Sequence, residues 1–146
     1  LMTKILIKKI SKKAKIPKYE TDGASGLDIS ACLEKKIIIK PGEKYLIPTG
    51  IAVAIEKNYE IQIRPRSGLA AKNSISVLNS PGTIDSDYRG EIKVILINLG
   101  NNNFEITHGL RIAQMVLCPV IKANIEEVQD LDATDRGKGG FGSTGV

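Results

Sequence analysis

Apolar residues in this chain come in short runs that alternate with polar or small ones, and Gly, Pro, Asn or Asp cuts nearly every run. Such runs occupy 5–10, 37–40, 45–47, 51–55, 60–64, 92–97 and 112–120. Ile51, Val53 and Ile55 flank small alanines, while Ile61 and Ile63 alternate with Gln62 and Arg64. A period of two places one set of side chains on one face, which is strand geometry, and the β-branched content agrees. Helical spacing is nearly absent; only 68–73 has room for a turn or two. Without helices to cover an open sheet, the strands must cover one another. We expect an all-β chain, a single-domain jelly-roll-like barrel or sandwich with at most one short helix.

At 146 residues the chain is long enough for one real core. Residues 1–130 read as that β body, and 131–146 as a polar linker and glycine-rich lid of the same domain. No apolar run reaches the length of a membrane span, and the lysine-studded start lacks the apolar centre of a signal peptide. Met2 is expected to be the native first residue, and the location cytoplasmic. Cys32 and Cys118 form no disulfide framework and read as reduced core residues. His108 is the single histidine, so a catalytic triad or His-rich metal site is not expected, while carboxylate-bound Mg²⁺ stays open.

The net charge of +5 is local rather than spread. Residues 1–18 hold seven Lys and no acid, leaving 14 of the 21 basic residues against all 16 acids in the remainder. Nucleic-acid binding asks for a basic surface interleaved with aromatics. Aromatics are scarce here, so the lysines read as a solvated first strand and loop.

The segment 136–146, RGKGGFGSTGV, carries the most chemistry. Its glycines permit a mobile backbone whose N–H groups can line a nest for phosphate oxygens. Arg136 offers a bidentate fork to a terminal phosphate, and Phe141 a flat face for a nucleobase. The segment therefore reads as a nucleotide lid; a frayed end with no task is the alternative, and composition alone does not separate the two. Gly137, Gly139 and Gly142 spell a dinucleotide-binding pattern, but that pattern works only between a strand and a helix.

Four other polar segments interrupt the strands. The stretch 23–31 is a small-residue loop leading into a strand, with Asp28 as a turn acid or something more. In 64–70, Pro65 ends a strand and Ser67-Gly68 opens a short helix, whose first amides suit an anion; Ser67 can equally be the N-cap. The stretch 79–91 has two breakers, Asp85, Asp87 and Tyr88. In 109–115, Arg111 and Gln114 enter an apolar strand and need partners.

Together the five segments resemble the five motifs of the trimeric dUTP pyrophosphatase (dUTPase) family. The matching pieces are GLDISA, RPRSGLA, GTIDSDYRGEI, RIAQMV and RGKGGFGSTG, in order between residues 23 and 145. Leu110 departs from the pattern, standing where an acid often precedes the Arg. The resemblance implies hydrolysis of dUTP to dUMP and pyrophosphate by water attack at the α-phosphate. Asp85 is then similar to the acid that deprotonates the water, with Asp87 its rival, and Tyr88 to the wall against the deoxyribose. Asn79 and the backbone of a hairpin from Gly82 through Thr83 and Ile84 to Lys93 would read uracil. Ser67, the Gly68 amide, Gln114 and Arg66 would surround the inner phosphates. Arg136, Gly142, Ser143 and Thr144 would clasp the γ-phosphate while Phe141 stacks on the base.

The resemblance also implies Mg²⁺ on the phosphates, with Asp28 an acid beyond the ion's own ligands that supports either the metal or the closed tail, and a homotrimer whose tails reach into partners' sites. It leaves no place for a membrane and little for nucleic acid. A dCTP deaminase on the same fold is the nearest rival, and a non-enzymatic module binding nucleic acid or a regulator is the rival from another class.

Overall fold

The computed structural model describes residues 2–145; Leu1 and Val146 lie outside the described residues. Twelve strands and one helix follow in order. The first six strands are β1 (Ile5–Lys9), β2 (Lys18–Tyr19), β3 (Leu27–Ser30), β4 (Ile37–Ile39), β5 (Lys44–Pro48) and β6 (Ile51–Ile55). After β7 (Tyr59–Arg64) and α1 (Ser67–Asn73) come β8 (Ile75–Val77), β9 (Gly82–Ile84), β10 (Lys93–Asn98), β11 (Phe104–Ile106) and β12 (Arg111–Pro119). The all-β expectation holds, and the one helix lies where the sequence left room for it. No helix among the described residues is long and apolar enough to cross a membrane.

Every strand pairing is antiparallel. A five-stranded sheet runs β2-β3-β12-β7-β9, a three-stranded one β5-β10-β8, and two pairs, β1-β6 and β11-β4, complete the barrel. The alternation read from sequence supplies the inner faces. Ile29, Ile61 and Met115 from the large sheet meet Ile47 and Leu96 from the three-stranded sheet, all essentially without solvent contact. Burying a branched aliphatic side chain of this size contributes about 1.5–3 kcal/mol each, so this interdigitated layer supplies the main drive to fold.

Three details depart from the sequence reading. The segment from Gly82 to Lys93 is not a hairpin: β9 pairs with β7, whereas β10 pairs with β5 and β8. Tight hairpins close over two to five residues, and the longer stretch 85–92 instead crosses from one sheet to the other. Ser67 is not the helix N-cap. Arg66 holds that position with extended backbone and no side-chain cap, and Ser67 begins the helix. The cysteines are free, as expected, but only half-buried. The lysine-rich start is solvated as expected, except that Lys13 donates to Glu34 at 2.7 Å and holds that carboxyl below its usual range.

Among the described residues two polar side chains are buried, Thr49 and Asn98, and Asn98 makes the larger set of bonds. Asn98 donates from Nδ2 to the carbonyls of Ile39 (2.9 Å) and Asn102 (2.7 Å), and its Oδ1 accepts from Gly100 N. It thereby ties β10 to β4 and to the loop that follows. Asn98→Ala strands two carbonyls and one N–H, and we expect a loss of about 2–4 kcal/mol in urea unfolding. A loss under about 1 kcal/mol would mean that water replaces the amide at little cost.

Candidate active site

A cavity of about 420 Å³ opens where the large sheet meets the three-stranded one. Its apolar wall comes from Leu46, Ile63, Val77 and Ile95, and its polar rim from Asn79, Thr83, Asp85, Tyr88 and Lys93. Gly82 and Ile84 complete the β9 side. Because β9 ends the five-stranded sheet, one side of its backbone bonds β7 and the other has no strand partner. A strand edge with free N–H and C=O groups beside a cavity is equipped to read a planar hydrogen-bonding ligand.

The connection 85–92 carries Asp85 and Tyr88. Tyr88 N donates to Asp85 O at 3.1 Å, closing a turn, and Arg89 Nη1 braces it on Ser86 O (2.7 Å) and Tyr88 O (3.1 Å). The Tyr88 hydroxyl donates to Glu91 O at 2.9 Å, which lays the ring along the turn. Asp85 is exposed, and its carboxylate takes part in no side-chain hydrogen bond or ion pair among the described residues. It stands on a ridge, lining both the cavity and a second depression of about 610 Å³ that also contains Lys57, Arg89 and Lys122. Asp87 lines only the second depression.

A second constellation lies on the outer face of the large sheet. Gln114 sits opposite Asp28 and Arg64, and Arg111 opposite Ser30, with a register shift between Arg111 and Ala113. Residues three apart on a regular strand point to opposite faces. The one-residue bulge turns Arg111 and Gln114 to the same face as Asp28. There Arg111 binds the Asp28 carboxylate at 2.9 Å and lies 3.9 Å from Glu20, while the Arg66 Nε lies 3.8 Å from Asp28. Leu110 therefore deprives Arg111 of nothing: its acids come from β3 and from Glu20. Arg66 also donates to Arg111 O (3.1 Å), and Gln114 Nε2 donates to Pro65 O (3.0 Å). The Gln114 amide lies across Gly26, where a β-carbon would stand 3.1 Å from its Cδ. This set surrounds the start of α1, leaving Ser67 and Gly68 exposed.

Among the described residues, the C-terminal segment 131–145 makes hydrogen bonds only within itself. Arg136 Nε donates to Gly139 O (2.9 Å), and short turns follow at Gly140–Ser143 and Gly142–Gly145. Gly137 (φ 54) and Gly142 (φ 88) take the left-handed conformation that the glycines were expected to permit, and the Phe141 ring is fully exposed. The cavity thus gathers Asn79, Gly82, Thr83, Ile84, Asp85, Tyr88 and Lys93. It does not gather Asp28, Arg66, Ser67, Gly68, Gln114 or the tail residues Arg136, Phe141, Gly142, Ser143 and Thr144.

All five motif pieces lie within the stretch, residues 12–145, that matches the family model described as dUTPase. The chain belongs to the dUTPase family. It is 57% identical over 146 residues to the deoxyuridine 5'-triphosphate nucleotidohydrolase of Rickettsia bellii (strain OSU 85-389), covering 99% of this chain and 97% of that one. Against the enzyme of that description from Nautilia profundicola the identity is 59% over 142 residues, 97% of this chain and 99% of the relative. Among solved structures, the Staphylococcus bacteriophage 80alpha dUTPase with dUPNHPP matches with a TM-score of 0.84 and 27% identity, covering 98% of this chain and 99% of that one.

Within this dUTPase fold the cavity includes residues to which the sequence reading gave no role. Glu91, inside the third motif, lines it, and Leu46, Val77 and Ile95 lie outside the motifs and help form its apolar wall. In the sequence Leu46 and Ile95 are ordinary strand residues and Val77 belongs to no recognised run, and only tertiary packing gives them this role. Gly90 lies beneath the Tyr88 ring; the third motif contains it without giving it a role.

Proposed function

We infer that this chain hydrolyses dUTP to dUMP and pyrophosphate by water attack at the α-phosphate, limiting uracil in DNA and supplying dUMP for thymidylate synthesis. One observation carries the reading: in a chain matched to the dUTPase family over nearly its whole length, Asn79, Asp85 and Tyr88 line one cavity beside an unpaired strand edge. The full-length relatives do not favour the deaminase or the non-enzymatic module. Pyrophosphate release from dUTP, set against dTTP, dCTP and UTP, tests it directly. Ammonia release from dCTP would overturn it in favour of the deaminase.

In our reading uracil lies on the apolar wall, with its polar edge on Asn79 and the free backbone of β9. Swapped donors and acceptors reject cytosine, and close backbone approach leaves no room for a thymine methyl group. Tyr88 walls the deoxyribose so that a 2′-hydroxyl collides with it, a repulsive element that discriminates more sharply than a lost contact. Tyr88→Ala should therefore raise UTP turnover relative to dUTP by about tenfold or more in competition assays. An unchanged ratio removes the wall. Asp85, unpaired at the rim, accepts the proton of the attacking water; Lys93, exposed at the same rim, faces the polyanion.

The inner phosphates fall to Ser67, the Gly68 amide and Gln114, with Arg66 behind them. Gly68 has neither a positive φ nor any neighbour within 4 Å of a β-carbon position. Neither the backbone nor the packing of this chain requires a glycine there, which supports close approach by a ligand. Since this set does not line the cavity, we assign it to a site completed by another copy, in a homotrimer with shared active sites. Exposed Leu6, Leu78, Leu99, Ile121, Ile125 and Leu131 offer apolar surface for such contacts. The tail closes a partner's site, Arg136, Gly142, Ser143 and Thr144 on the γ-phosphate and Phe141 on uracil.

Among the described residues no group of three His, Cys, Asp or Glu is arranged to hold a metal. Mg²⁺ demands few protein ligands and keeps phosphate oxygens and waters about it, so the chain's donors fit an ion that arrives with the triphosphate. Asp28, its carboxylate held by Arg111, would meet a water of that ion. When bound, the ion draws charge from the phosphate oxygens. We place the enzyme in the cytoplasm, where its nucleotide substrate is found, and assign it no membrane or nucleic-acid partner.

A further inference from the structure

We propose that Gly90 is a specificity-positioning residue: its missing β-carbon is the space in which the Tyr88 ring lies, and so sets the wall against the sugar. A β-carbon built at Gly90 would stand 2.6 Å from Tyr88 Cζ and 2.9 Å from Cε1, and closer still to the hydroxyl. Real β-carbons do not approach neighbours so closely. Gly90 is not among the residues with positive φ, so its backbone conformation is open to any residue. Space alone excludes a side chain.

What would give way is decided by how each partner is held. The backbone of the turn is fixed by the Asp85–Tyr88 hydrogen bond and by Arg89, which bridges Ser86 and Tyr88 carbonyls. The ring is held by a single hydrogen bond, Tyr88 Oη to Glu91 O at 2.9 Å, and is 43% exposed. A methyl group at Gly90 therefore swings the ring off the turn and breaks that one bond, while the core beneath stays closed. Substitution acts on discrimination rather than on folding. The inference rests on the reading of Tyr88 as the sugar wall and adds to it the residue that aims the wall.

The test is a double-mutant cycle on the full chain with Gly90→Ala, Tyr88→Ala and the double variant. Thermal melts and UTP-against-dUTP competition are read for each. We expect Gly90→Ala to melt within a few degrees of wild type and to lose about tenfold or more of the selectivity against UTP. In the Tyr88→Ala background the same change should add almost nothing, because the ring it displaces is gone. If Gly90→Ala fails to fold, a double variant that folds and matches Tyr88→Ala in selectivity still supports the proposal, since removal of the ring removes the collision. Additive losses, wild-type selectivity in Gly90→Ala, or a double variant that does not fold would each overturn it. Loss of selectivity in Tyr88→Ala alone would then leave the sugar wall standing without Gly90. Wild-type selectivity in Tyr88→Ala would remove both.

Discussion

Asp85→Asn should lower the turnover of dUTP by about 10²- to 10⁴-fold, the usual contribution of a positioned general base. Affinity for a non-hydrolysable dUTP analogue should stay within about threefold, because the amide keeps the size of the carboxylate and loses only its basicity. The structure makes this a clean substitution. Asp85 is exposed, and no hydrogen bond or ion pair among the described residues depends on its carboxylate. Stability has nothing to lose, so a slow variant cannot be explained as a misfolded one. Asp87→Asn serves as the internal control, since Asp87 lies off the cavity on the same turn. Single-turnover kinetics with titration calorimetry decide the matter: near-normal turnover in Asp85→Asn, or a collapse in Asp87→Asn instead, moves the base elsewhere.

Asp85 is legible in the sequence as an acid in a segment rich in breakers, whereas the strand pairing around it is not. Period-two alternation in 60–64 is legible because one buried face forces it, and β7 follows it; β6 is buried on both faces, which its alanines permit and its alternation does not announce. Partner choice leaves no such trace. Nothing local in 82–93 says that β9 would pair with β7 while β10 crosses to β5, since pairing depends on which edges remain open once the barrel closes. The bulge in β12 was hidden for a related reason. Arg111 and Gln114, three apart, look as if they must oppose each other, and only the observed register brings both beside Asp28. Short strands such as β8 and β11 carry too few residues for a period to show.

Removing residues 136–146 should reduce kcat/KM for dUTP by about 10²- to 10³-fold. Base stacking on an aromatic ring is worth about 1–3 kcal/mol and a charge-assisted hydrogen bond about 1.5–3 kcal/mol, and Phe141 and Arg136 would withdraw one of each. Phe141→Ala alone should cost about the stacking share. The domain should melt as before, because the described residues of the segment are mostly exposed and their hydrogen bonds reach no further into the chain than Thr134. The sharper question is whose site the tail serves. Its described residues do not line the cavity of their own chain, and in a shared-site trimer they serve a neighbour's. Two inactive variants then complement each other: a tail-deleted chain still offers an intact Asp85, and an Asp85→Asn chain still offers an intact tail. Refolded together at equal amounts, random assembly gives about a quarter of sites both parts, and activity should return to about that fraction of wild type. A mixture as inactive as its components would mean that each tail closes only over its own cavity, and the exchange between subunits would have to be abandoned.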